Sequence, residues 1–156
     1  MPMPWVARSL NDEERAQIVA DPTAATTLAA VPGKQHIELK TTWHGLKWLL
    51  AAGEDIPSGA EDAILGGAEL PSQPGHPVRL IDSTAVAKIA TALEPVSADD
   101  VRDAFDIDQM LDASVYPPIW GDPDVLEKKV VPAFEKLRKF YLQSAADKRA
   151  VLIVVG

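Results

Sequence analysis

Apolar and polar positions alternate first at the start of the chain, where Met3 to Ser9 predicts a strand with Trp5 and Ala7 on one face and Val6 on the other. Asn11 then reads as a helix N-cap, followed by Asp12, Glu13 and Glu14 at the positive end of the helix dipole and by Ile18 and Val19 as core residues. A second short helix opens at Asp21-Pro22, the aspartate capping and the proline at the first helical position, and ends by Pro32-Gly33. Thr41 to Ala52 follows as a largely apolar helix. Trp43, Leu46, Leu49 and Leu50 form its stripe, with His44 and Trp48 four apart on another face.

Gly53 to Pro77 holds five of the nine glycines and four of the thirteen prolines, so it predicts irregular structure inside one domain. Its one apolar run, Ala63 to Gly67, predicts a short strand or a tight loop. Val78 to Ile81 predicts another strand. A helix capped by Asp82 or Ser83 then carries Val86, Ile89, Ala90 and Leu93 at i, i+3, i+4 and i+7. Pro95 closes it. Ser97 with Asp100 forms a capping box for a helix reaching Phe105, and 106–120 stays ambiguous. Asp122 to Asp147 predicts a long helix with Leu126, Val130, Phe134, Leu137 and Tyr141 on one face, which Pro132 must kink or divide. Ala150 to Val155 is a continuous β-branched-rich run, the pattern of a strand buried on both faces near a sheet centre.

Composition narrows this picture. A chain of 156 residues, 47% hydrophobic and 24% charged, suits one globular α/β domain over 1–156. The absence of cysteine excludes disulfides, thiolate metal sites and cysteine nucleophiles. Neither a basic-then-apolar leader nor a membrane-length apolar run is present, so the expectation is a soluble, cytoplasmic protein. A net charge of −8 argues against a nucleic-acid partner.

The charge is unevenly distributed. Nine acids between Glu94 and Asp124 face the single base Arg102, a net −8 from this stretch alone. From Val125 onward the sign reverses, with seven bases against three acids. Either the two stretches neutralise each other within the fold or merely form solvated faces, or the acidic one is a docking face for a basic protein through Asp99, Asp100, Asp103, Asp106 and Asp108.

Several segments, in order, carry a resemblance to a known family. They are the Met-x-Met start, Thr42-Trp43-His44-Gly45-Leu46-Lys47-Trp48-Leu49-Leu50, Ile64-Leu65-Gly66-Gly67, the Ile81-to-Leu93 region, Ala104-Phe105-Asp106 with Met110, Val115-Tyr116-Pro117 with Trp120, and the closing Ala150-to-Val155 strand. Together they resemble the YfbM-like family of uncharacterised bacterial proteins across nearly the whole chain. Pro2 stands where the family often has glycine, and Lys47 where a histidine often follows the leucine. The resemblance implies a compact three-layered α/β fold with a small mixed sheet, including the N- and C-terminal strands, and about five to six flanking helices. It implies no activity.

Tests for chemistry return little. His36, His44 and His76 lack zinc spacing, and Asp106-x-Asp108-x-x-x-Asp112 lacks the glycine and glutamate of a calcium loop, so no metal is expected. No phosphate-binding glycine loop and no Gly-x-Ser-x-Gly elbow occurs, and no cofactor is expected. Paired-carboxylate chemistry has no short signature to test. Trp43, His44, Trp48, Tyr116 and Trp120 are the candidates for lining a ligand cleft, with His44 as the one plausible general base; the competing reading packs them in the core. Tyr116-Pro117-Pro118 reads as a rigid turn. Two functions follow: a non-enzymatic binding protein, of immunity type or regulatory, using its acidic 94–124 face, or a small-molecule binder or enzyme built around His44, Tyr116 and Trp120.

Overall fold

A computed structural model describes residues 4–31, 36–71, 77–116 and 118–156. The Met-x-Met start, the Pro32-Gly33 helix end, His76 and Pro117 lie outside the described residues. Five strands, β1 (Trp5–Leu10), β2 (His36–Lys40), β3 (Ala68–Leu70), β4 (Val78–Ile81) and β5 (Ala150–Val155), form one sheet in the order β2-β1-β5-β4-β3. Every pairing is antiparallel, so the sheet is not mixed.

The C-terminal strand sits at the centre, as its apolar run predicts, and all six of its residues are buried. Its side chains divide by parity, the period-2 rule of a strand. Val151, Ile153 and Val155 join the larger core, while Ala150, Leu152 and Val154 join the smaller one. β1 divides the same way, with Trp5 and Ala7 on the larger side and Val6 on the smaller. Both sheet faces are therefore covered by helices, and the arrangement is three-layered.

One outer layer is thin. It comprises α1 (Asp12–Ala20), a 3-10 turn (Pro22–Ala24) and α2 (Ala25–Ala29), which contribute Ile18, Ala25 and Ala29 to the smaller core. Asn11 closes the predicted cap as a full capping box with Glu14. Val19, by contrast, is exposed, because only Ile18 of this polar helix turns inward.

The other layer holds α3 (Trp43–Ala52), α4 (Asp62–Leu65), α5 (Ser83–Leu93), α6 (Ala98–Ala104), α7 (Ile107–Asp112) and α8 (Val131–Ala146). The eight helices among the described residues exceed the expected five to six because α2, α4 and α7 are only five, four and six residues long. The run Ala63 to Gly67 is neither a strand nor a plain loop but the end of α4, leading into β3.

Such a short helix leaves its carbonyls unpaired, and two buried aromatic side chains supply the donors. The Trp5 indole N–H donates to the Ile64 carbonyl at 2.8 Å, and the Tyr141 hydroxyl to the Ala63 carbonyl at 2.6 Å. Burial first, then the nearby Asp62 carboxylate, pushes the Tyr141 phenol up, which keeps it protonated as a donor. Beyond α4, Gly67 adopts φ 74, and a Cβ there would meet the Leu80 carbonyl oxygen at 2.3 Å, so only glycine fits where this turn joins the sheet.

The long C-terminal helical stretch is divided at its proline. Leu126–Val130 forms a π turn, and Pro132 stands in the first turn of α8. A proline lacks the N–H that would reach back to the carbonyl of Lys128, and the wider π turn stands directly before it. Both α7 and α8 end with a non-glycine residue in the left-handed region, Ser114 at φ 55 and Lys148 at φ 56. In each, the following amide returns five residues, Val115 to Met110 and Arg149 to Ser144, and the left-handed residue's own amide returns three. This is the Schellman arrangement, and after α8 it throws the chain into β5.

Candidate functional site

The sequence candidates begin on α3, whose buried Trp43, Leu46, Leu49 and Leu50 hold it against the larger core. His44 and Trp48 emerge half-buried from its other side. The loop after α7 lies across this helix. Its Trp120 is fully buried, and the indole N–H donates to the Val115 carbonyl at 2.9 Å, closing the loop on itself.

What allows this packing is Gly45. A Cβ at that position would sit 2.1 Å from Cη2 of Trp120 and under 3 Å from two further ring carbons. The space a side chain would need on α3 is filled by the six-membered ring of the indole. Next to this contact, the backbone N–H of Tyr116 donates to Nδ1 of His44 at 2.8 Å, and the imidazole stacks on the Trp43 indole with ring centres 5.4 Å apart.

That hydrogen bond defines the chemistry of His44. An acceptor Nδ1 carries no proton, so the neutral ring holds its hydrogen on Nε2. Burial and, second, the Lys47 charge lower its pKa from the ordinary 6.5. Its place in the first turn of α3, near the positive end of the helix dipole, works in the same direction. The expected general base is thus half committed to holding a loop.

Trp43, His44, Tyr116 and Trp120 come together, but as a packed lock between α3 and the loop. Of the five aromatic and histidine candidates, Trp48 lines an acidic cleft, and none lines the lysine-bearing groove beside β2 and α8.

Trp48 opens onto the acidic cleft, a cavity of about 360 Å³ between the end of α3 and the α6–α7 region. Its lining includes Glu54, Asp55, Asp100, Asp103 and Asp106, together with Phe105, and contains no base. Asp100 and Asp106 serve at the same time as helix caps, Asp100 in the capping box with Ser97 and Asp106 accepting from the Gln109 amide. None of the five carboxylates is in a salt bridge with a described residue.

Three of the five predicted partner-binding acids, Asp100, Asp103 and Asp106, therefore line the cleft. Asp108 lies outside its lining, and Asp99 is turned to Arg102 at 2.7 Å. Glu54 and Asp55 were not among the candidates. Their position in a turn directly after an apolar helix was the available signal.

Among the described residues two ion pairs join the acidic and basic stretches. One brings together Arg102, the single base of the acidic stretch, and Glu127, one of the three acids of the basic tail, at 2.7 Å. Arg138 is spent on the Leu93 and Glu94 carbonyls at the end of α5, and Lys128 reaches only Asp124, at 3.3 Å.

A family model for a domain of unknown function, DUF1877, matches residues 1–154. The chain belongs to the DUF1877 family. Its fold is similar to that of a solved structure described as a protein of unknown function, YfbM, from Escherichia coli, with a TM-score of 0.74, 17% sequence identity and 100% of each chain covered. No curated protein matches the chain. In this DUF1877 domain no helix among the described residues is long and apolar enough to cross a membrane, and no three described His, Asp or Glu residues are grouped as a metal site would need.

Two predictions follow from the lock. Gly45→Ala, which in an ordinary helix interior stabilises by roughly 1 kcal/mol, destabilises here by about 1–3 kcal/mol because the indole has no room to move, as denaturant unfolding will measure. For His44, the folded-state pKa lies below the unfolded value, so its contribution is fully present above pH 6.5 and is lost as pH falls through the folded pKa. His44→Asn, whose Oδ1 can replace Nδ1 as acceptor, removes that pH-dependent component. Unfolding curves at neutral and mildly acidic pH, compared with those of the parent, give the difference.

Proposed function

We propose that this DUF1877 domain is a non-catalytic binding protein that takes a basic segment of a protein partner into the acidic cleft. The observation that carries this reading is the cleft itself: five carboxylates without ion-pair partners among the described residues, no lining base, and an indole and a phenyl ring beside them.

The chemistry suits lysine and arginine side chains. Converging carboxylates create a negative potential that draws cations in and raises the association rate. Trp48 and Phe105 offer ring faces on which a guanidinium or ammonium can rest, and their partial shielding from water strengthens that attraction. The caps formed by Asp100 and Asp106 fix two of the carboxylates on helix ends, so they need little ordering when a ligand arrives. Arg102, next to Asp103 in sequence, is held by Asp99 and Glu127.

A hexa-arginine peptide serves as the probe. Titrated by calorimetry, it should bind saturably, and more weakly as salt rises. The combined variant Glu54→Gln, Asp55→Asn, Asp103→Asn leaves both capping aspartates intact and should weaken binding about tenfold or more. Equal weakening on neutralising Asp12 and Glu13, in α1, would reduce the effect to net charge and end the proposal.

A further inference from the structure

A second groove, of about 480 Å³, shares no lining residue with the acidic cleft and has the opposite sign. Its walls carry Lys40, Lys128, Lys129 and Lys136, its floor the Thr41-Thr42 entry to α3, and its one carboxylate is Glu38. We propose that this groove binds a small molecule bearing adjacent phosphate groups, a diphosphate or triphosphate.

Three local features assemble it. Lys40 closes β2 with φ 47, a left-handed conformation unusual for a lysine, and this bend turns the chain from the sheet edge into α3. On the facing wall, the π turn ahead of Pro132 brings the consecutive Lys128 and Lys129 both into the lining, and Lys136 follows one helical face further on. Between the walls α3 begins without a side-chain cap, and the Thr42 hydroxyl donates to the Leu39 carbonyl. The positive end of a ten-residue helix thus opens on the same groove.

The lysines stand unneutralised. Lys40, Lys129 and Lys136 form no salt bridge with a described residue, and Lys128 meets Asp124 only in an exposed pair of the kind that contributes little. Four like charges around one hollow repel each other in a body of net charge −8, where acids are plentiful elsewhere. A multivalent anion relieves that repulsion.

The type of base selects among anions. Planar two-point recognition of a carboxylate favours arginine, and the groove has none. Lysine acts as a point charge on phosphate oxygens, and four lysines match the charge of two or three linked phosphates. The volume is that of a small-molecule site, and the acidic remainder of the surface opposes a long polyanion such as nucleic acid.

The test titrates the full chain with inorganic tripolyphosphate and, separately, with ADP, following amide shifts by NMR. Saturable shifts centred on Thr41, Thr42, Lys128 and Lys129 are expected. Lys129→Gln with Lys136→Gln should weaken binding about tenfold, whereas Lys88→Gln with Lys139→Gln, outside the lining, should leave it within about twofold. ADP binding as tightly as tripolyphosphate assigns the phosphates to a nucleotide, and tripolyphosphate binding far tighter assigns them to an inorganic chain. No saturation by about 10 mM, or equal weakening in both lysine pairs, overturns the proposal.

Discussion

The indole of Trp120 occupies the place where any residue but glycine would put a Cβ on α3, and the side of the molecule that carries the acidic cleft is arranged around that contact. Because Gly45 lets the ring approach, the loop after α7 lies directly on α3. Because the loop lies there, the Tyr116 amide reaches Nδ1 of His44. α7 ends in this loop, so the lock also sets where α7 stands relative to α3. The acidic cleft is the space left between the far end of α3 and that helix pair, with Trp48 on one side and Phe105 on the other.

Charge follows a related logic. A protein with nine acids in one stretch and seven bases in the next has the material to neutralise itself. Only two described pairs join the stretches, Arg102 with Glu127 and Lys128 with Asp124, and Arg138 caps α5 instead. Exposed pairs such as Arg102 with Glu127 contribute little to stability. This pair occupies Arg102, the one base of the acidic stretch; the acidic cleft has no base among its described lining residues, and the lysine groove a single acid.

How much of this was readable along the chain depended on the range of the interaction. The central β5 and the amphipathic α5 were legible because burial imposes a period on neighbouring residues. The caps at Asn11 and Ser97 were legible because both partners lie within four residues. β2 escaped although Ile37 and Leu39 alternate with His36, Glu38 and Lys40, the period-2 pattern of an edge strand. The turns at Ser114 and Lys148 carry no glycine to announce them. Strand direction was hidden too: helices on both faces make β5 uniformly apolar, the pattern of a parallel strand, although its neighbours run antiparallel. The resemblance covered the segments of the lock, but only the fold shows that Gly45 and Trp120 touch, and only it joins Glu54 and Asp55 to the aspartates of α6 and α7.

The histidine and aromatic residues between α3 and the loop lock the fold. Nitrogen NMR of the His44 imidazole across a pH titration tests it most directly. An unprotonated Nδ1 with hydrogen on Nε2, and a protonation midpoint below the ordinary 6.5, is the predicted result. Hydrogen on Nδ1 of the neutral ring, or a midpoint at or above 6.5, would contradict it.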